Sequence, residues 1–281
     1  MKRIYENKIN ESAEMEVIFW GVRGSIPTPG KNFSIYGGNT SCVEVRIKNR
    51  SLIFDMGSGL KNLGDNLLKR NFKYFDIFLS HFHYDHTCGL PFFKPAFNPE
   101  FKFNLRSGRK DMLEVLKSQI SSPSFPITIN EFKADINYKS FEAEEDLFIT
   151  DDIKIKTSSL NHPDGAIGYR VEYKNKAVCY ITDHEHEKNV KNFKLINFIK
   201  DSDLLIYDST YGDEEYKNYV GWGHSTWQEG VRLTKAANVK KYAIYHHNPD
   251  NNDNTMKKIE NDAKYYGEHI IVAREGMSLR I

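Results

Sequence analysis

The sequence predicts an α/β protein in which two mixed sheets pack together with helices on the outside. Strand-like and helical stretches alternate over most of the 281 residues. Strands outnumber helices and arrive in runs, a pattern that favours two sheets over one doubly wound sheet. With 40% hydrophobic residues the chain has enough apolar material for one large core or two small ones, and no linker, repeat or low-complexity tract interrupts it. A single domain over residues 1–281 is the expectation.

The elements follow from local pattern. Met15–Trp20, Cys42–Ile47 and Ser51–Asp55 are rich in β-branched and aromatic residues and read as strands. Tyr74–Ser80 is a nearly continuous apolar run, as in a strand buried on both faces. Ile153–Ser158, Ala166–Tyr173, Ala177–Thr182, Leu204–Tyr207, Lys241–Tyr245 and His269–Ala273 are further strands. Helices are expected at Arg109–Gln119, Glu187–Ile199, Thr226–Ala237 and Thr255–Tyr266, the third with Ser225 or Thr226 as its N-cap. The stretch 121–143, with Pro123 and Pro126 and little periodicity, reads as an insertion or lid.

Composition removes several function classes. With 39 basic and 38 acidic residues the net charge is +1, so the electrostatic footprint of a dedicated nucleic-acid binder is missing. Three cysteines, an odd and scattered set, read as reduced thiols. Met1–Lys8 interleaves charges without an apolar stretch, and no run approaches the ~18 apolar residues of a membrane span. A cytoplasmic protein without a membrane partner is expected, and a homodimer is left open.

The histidines carry the chemistry. Ser80-His81-Phe82-His83-Tyr84-Asp85-His86 follows directly on the apolar strand, and His81, His83, Asp85 and His86 are all possible transition-metal ligands. Alternate residues of an extended segment share a side, so His81 and His83 can face one way while Asp85 and His86 turn back from the loop. Four donors so close together cannot all face one ion, which points to two adjacent ions.

This stretch resembles the H-x-H-x-D-H signature of the metallo-β-lactamase fold. The resemblance implies a four-layer αβ/βα sandwich holding two divalent metal ions at the edge between the sheets, with zinc the expected metal and manganese or iron the alternatives. It also implies further ligands at strand ends: His162 after Ile153–Ser158, Asp183 after Cys179–Thr182, and His246 after Ala243–Tyr245. His81, His83 and His162 would hold one ion, Asp85, His86 and His246 the other, and Asp183 would bridge them. His247 competes with His246, which is preferred because it comes first after the strand. His184 and His186 have no counterpart in the family and read as surface residues.

Two more segments, Trp20–Pro27 with Gly37–Cys42, and Asp55-Met56-Gly57-Ser58-Gly59, resemble the phosphodiesterase branch that includes ribonuclease Z and the cyclic-nucleotide phosphodiesterase-like hydrolases. Asp55 reads as a brace for a histidine ligand rather than a ligand. Gly223-His224-Ser225-Thr226 resembles the His-Ser-Thr motif of ribonuclease Z, whose histidine points at the scissile phosphate. Ser225 and Thr226 then read as substrate-binding residues at a helix N-terminus, an ordinary Ser/Thr cap being the alternative. Asp208 either orients His224 or a ligand, or is a turn residue.

The resemblance implies a dimetal phosphodiesterase, with His224 as general acid and Asp85 catalytic as well as ligating. The tRNA-processing members carry a long arm, often rich in glycine and basic residues, and 121–143 is short and mixed in charge. With the +1 balance this favours a small phosphodiester, a 3′,5′-cyclic nucleotide cleaved to the nucleoside monophosphate. The alternatives are a ribonuclease Z-like RNA hydrolase, a lactam, lactone or thioester hydrolase using the same ions, and a non-catalytic sensor.

Overall fold

A computed structural model of the chain describes residues 15–281; the charged segment Met1–Lys8 lies outside them. The first half supplies β1 (Glu16–Gly21), β2 (Cys42–Ile47), β3 (Arg50–Phe54), α1 (Gly59–Arg70), β4 (Tyr74–Leu79), α2 (Tyr84–Thr87), β5 (Lys102–Ser107), α3 (Met112–Gln119) and β6 (Asp135–Ser140). The second half supplies β7 (Asp146–Thr150), β8 (Ile153–Leu160), β9 (Ala166–Tyr173), β10 (Lys176–Ile181), α4 (Phe193–Ile199) and β11 (Leu204–Asp208). It continues with α5 (Trp227–Ala236), β12 (Tyr242–Tyr245), α6 (Asp253–Lys264) and β13 (Ile270–Val272), and β14 (Ser278–Arg280) returns to the first half.

These strands form two seven-stranded sheets, ordered β14-β1-β2-β3-β4-β5-β6 and β13-β12-β11-β10-β9-β8-β7. Each is mixed. In the first, β14, β1, β2 and β3 pair antiparallel and β3 to β6 parallel. In the second, β7 to β10 pair antiparallel and β10 to β13 parallel. Two mixed sheets with helices outside are the architecture that the sequence predicted.

Alternation along the strands builds three apolar layers. Between the sheets, Phe19, Val45 and Phe54 pack with Phe78 against Ile155, Tyr169 and Tyr180 of the second sheet. On the outer face of the first sheet, Ile53, Ile77 and Leu79 meet Leu60, Leu63 and Leu67 of α1. On the outer face of the second, Ile181, Leu205 and Ile244 meet Leu195, Leu233 and Met256 of α4, α5 and α6. The apolar run at β4 is thus accounted for: Phe78 points inward and Ile77 and Leu79 outward.

Several boundaries differ from the sequence reading. Helix α1 was not anticipated, because Gly59, Asn62, Gly64 and Asn66 dilute its helical propensity; its Leu60-Leu63-Leu67 stripe forms against the sheet. Of Glu187–Ile199 only Phe193–Ile199 is helical, started by Asn192, whose side chain accepts a hydrogen bond from the Leu195 N–H. The stretch 121–143 ends in β6, the edge strand of the first sheet, so its second part is sheet rather than lid. Among the described residues no helix is long and apolar enough to cross a membrane.

Candidate metal centre

In open α/β sheets ligand sites lie beyond the carboxyl ends of the parallel strands. Here both sheets send such ends to one edge. His81 follows β4, Asp183 follows β10, Asp208 ends β11 and His246 follows β12, while His162 follows the antiparallel β8. Residues far apart in sequence therefore meet at the seam.

Two donor sets share one carboxylate. His81, His83 and His162 converge on one side, with His162 Nε2 3.2 Å from His83 Nδ1. Asp183 Oδ1 lies 3.7 Å from Nε2 of both His81 and His162. Asp85, His86 and His246 converge on the other side, where Asp85 Oδ2 is 3.2 Å from Nε2 of both His86 and His246. Asp183 Oδ2 is 3.1 Å from His86 Nε2 and 3.3 Å from His246 Nε2. The seven side chains expected as ligands are brought together, with Asp183 spanning the two sets.

The donor chemistry fits two divalent cations. Nε2 of His81 and of His86 is buried yet makes no hydrogen bond, although carboxylate oxygens stand close by. Buried nitrogens of this kind are costly unless a cation takes their lone pairs. The far side of four of the five ligand rings is tied down. His86 Nδ1 donates to Asp55 Oδ2 at 2.8 Å, and His162 Nδ1 donates to the Gly223 carbonyl at 2.7 Å. His81 Nδ1 pairs with Ser80 Oγ and His246 Nδ1 with Thr210 Oγ1, each at 3.0 Å. Such bonds leave Nε2 free to face inward. Asp55, expected from the sequence as a brace, thus bonds the His86 ring, and it also accepts from the Ser80 N–H and the Tyr180 hydroxyl.

His224 stands beside both sets. Its Nδ1 donates to Asp208 Oδ2 at 2.8 Å and lies 3.7 Å from Asp183 Oδ1. Burial alone lowers its pKa, but the Asp208 carboxylate prevails and raises it to about 9. Asp208 is thus more than a turn residue: its other oxygen accepts from Thr210, whose hydroxyl touches His246.

The structure corrects four readings. Ser225 and Thr226 have no exposed surface. Ser225 Oγ is held by Tyr207 and His186, while Thr226 caps α5 and donates to Asp213 Oδ1, so neither hydroxyl is free for a substrate. His184 and His186 are buried rather than superficial, since the turn after Asp183 folds back under the loop that precedes α5. His247 points away, donating to the Ala273 carbonyl, and burial lowers its pKa to about 3.

Side-chain motifs missed the backbone contributors. The Ser25 N–H donates to Asp85 Oδ2 at 2.7 Å. A Cβ on Gly24 would lie 2.4 Å from the His246 ring, so only glycine lets this turn close on the imidazole. Ser25, Asp55, Asp183 and His246 all have positive φ, a cost of order 1 kcal/mol each that clusters at functional sites. A cavity of about 390 Å³ borders His81 and His83, with Phe82, Leu160 and Ile167 in its walls.

Comparison with known proteins gives the family. Residues 66–247 match the family described as Beta-lactamase superfamily domain. The ribonuclease Z of Picrophilus torridus is 26% identical, covering 96% of this chain and 97% of its own length. That of Clostridium perfringens is 25% identical over 316 residues, covering 93% and 97%. Among solved structures, the metallo-β-lactamase fold protein YhfI from Bacillus subtilis superposes with a TM-score of 0.73 at 18% identity, covering 96% of this chain and 100% of that one. The short form of human tRNase Z gives 0.68 at 19% identity, covering 95% and 99%.

Proposed function

Since this chain belongs to the Beta-lactamase superfamily domain family, we propose that it is a ribonuclease Z-like dimetal phosphodiesterase that cleaves an RNA phosphodiester. It is a metal-dependent hydrolase of the family's phosphodiesterase branch. The observation that carries the reading is the Asp183 carboxylate, one oxygen toward His81 and His162 and the other toward His86 and His246. RNA is favoured over the cyclic nucleotide preferred from the sequence because ribonucleases Z align along nearly the whole chain.

His81, His83 and His162 would hold one ion and Asp85, His86 and His246 the other, with Asp183 available to both. Divalent ions bound there would supply positive charge for the phosphate and acidify water. Around them the chain's own groups act. Asp55 and Thr210 fix His86 and His246, and the Ser25 N–H fixes Asp85. His224, whose pKa the Asp208 carboxylate raises, would give its proton to the leaving ribose oxygen, with Asp208 steadying the ring.

One observation favours a smaller substrate as the second reading. The span aligned with the Clostridium perfringens protein, 316 residues, exceeds the 281 of this chain, so that relative carries segments with no counterpart here. A panel separates the readings: a 3′-extended RNA, a dinucleotide, a 3′,5′-cyclic nucleotide and the β-lactam nitrocefin, assayed after metal removal and with zinc, manganese or iron restored. Preferred cleavage of the extended RNA is expected. Cyclic-nucleotide turnover without RNA cleavage would move the second reading ahead, and nitrocefin turnover alone would overturn both.

A further inference from the structure

We propose that Trp222 is a nucleobase-stacking platform for the nucleoside next to the cleaved phosphate; the inference rests on the reading of the substrate as an RNA phosphodiester. Trp222 is 61% exposed, whereas Trp20 and Trp227 are 5% and 7% exposed. A large indole held in water needs a reason, and here its loop is built to hold it there. Both Glu185 carboxylate oxygens accept from the Gly221 N–H, at 2.8 and 2.9 Å, and one also accepts from the Gly223 N–H at 2.7 Å. Trp222 is clamped on both sides by one side chain.

The clamp is continuous with the metal centre. The Gly223 carbonyl accepts from His162 Nδ1 at 2.7 Å, and a Cβ on Gly223 would lie 2.2 Å from that ring. Gly223 has φ +84 and Gly221 φ +90, a backbone conformation that costs glycine nothing. The residue after Gly223 is His224. From His224 a file of rings runs outward: Tyr211 at 6.1 Å, Tyr219 stacked on Tyr211 at 4.2 Å and 5°, and Trp222 edge-on to Tyr219 at 5.6 Å. The file begins at the proton donor and ends in an open indole, so its occupant is a flat π-surface attached to the reacting phosphate. Every nucleobase offers such a face, and stacking is tolerant of base identity.

The positions of the three tryptophans make the test direct, because the solvent-exposed emission belongs to Trp222. Adenosine 5′-monophosphate should quench it saturably, and ribose 5-phosphate, which has the phosphate but no base, should not. Trp222→Phe should abolish the quenching. Trp222→Ala should raise KM for adenylyl-3′,5′-adenosine roughly tenfold with a smaller change in kcat, and Trp222→Phe should recover most of that loss. A thermal melt confirms that each variant is folded. Equal quenching by both ligands, or by neither, overturns the platform. So does a blue shift that grows with protein concentration in the absence of nucleotide, which would mean that a second copy covers the indole. If the dinucleotide is cleaved with KM unchanged in Trp222→Ala, the platform falls and the phosphodiesterase reading stands. If the wild type cleaves no phosphodiester, that reading falls while the quenching result still decides the platform.

Discussion

Two buried carboxylates, Glu44 and Asp183, sit in opposite kinds of surroundings. Glu44, on β2 and fully buried, has every lone pair taken: one oxygen accepts from Ser51 and Arg70, the other from Trp20 and Arg46. Burial would raise its pKa, yet the two guanidinium groups bring it down to about 2. Asp183 is ringed by imidazole nitrogens at 3.1–3.7 Å, and Nε2 of both His81 and His86 lacks a hydrogen bond. One site is closed by the protein's own cations, and the other is arranged for cations from outside. Satisfaction of neighbours, rather than burial or charge, separates a structural carboxylate from a ligand.

The largest expected effect comes from emptying the open site. His83→Ala or Asp183→Ala should reduce turnover to the level of metal-stripped protein and lower the metal content measured by plasma emission, with the far-UV dichroism retained. Full metal and a wild-type rate in His83→Ala would show that the first donor set is misassigned.

His224→Ala should leave both donor sets intact and slow cleavage of an alkoxide-leaving phosphodiester by roughly 10²–10⁴-fold. The loss should be smaller on bis(p-nitrophenyl) phosphate, because p-nitrophenolate departs without a proton. Equal losses on the two substrates would refute the acid role.

The closed site is tested by acid. The folded pKa of Glu44, about 2, lies below its ordinary 4.5, so its stabilisation is complete above pH 4.5 and is lost as the pH falls toward 2. A shift of this size corresponds to about 3 kcal/mol. Glu44→Gln should destabilise the fold by that order at pH 7, with the gap to wild type narrowing below pH 4.5 and the metal content unchanged. A gap independent of pH in urea melts would mean that packing rather than charge carries the effect.

The open site was the more legible of the two. His81, His83, Asp85 and His86 announce themselves because four donors lie together after an apolar strand, and His162, Asp183 and His246 because each ends or follows a strand. What stayed hidden is backbone or tertiary. The Ser25 N–H has no side-chain signature, the Tyr180 hydroxyl reaches Asp55 across the two sheets, and the hydroxyls of Ser225 and Thr226 match a motif while serving the fold. Helix α1 escaped for a related reason, since its apolar stripe outweighs its glycines only against β3 and β4.

The order of the donors along the chain has a consequence during synthesis. His81 to His86 emerges about 160 residues before His246, an interval on the order of ten seconds or more at ~5–20 residues per second. For the first 97 residues of it, up to Asp183, four strong donors stand on an unfinished chain without that carboxylate. A nascent cluster of that kind takes metal by availability and by the affinity order of divalent ions, before the folded geometry can discriminate. An ion captured at that stage would be chosen by availability, and selection by geometry would wait for the completed seam between the sheets.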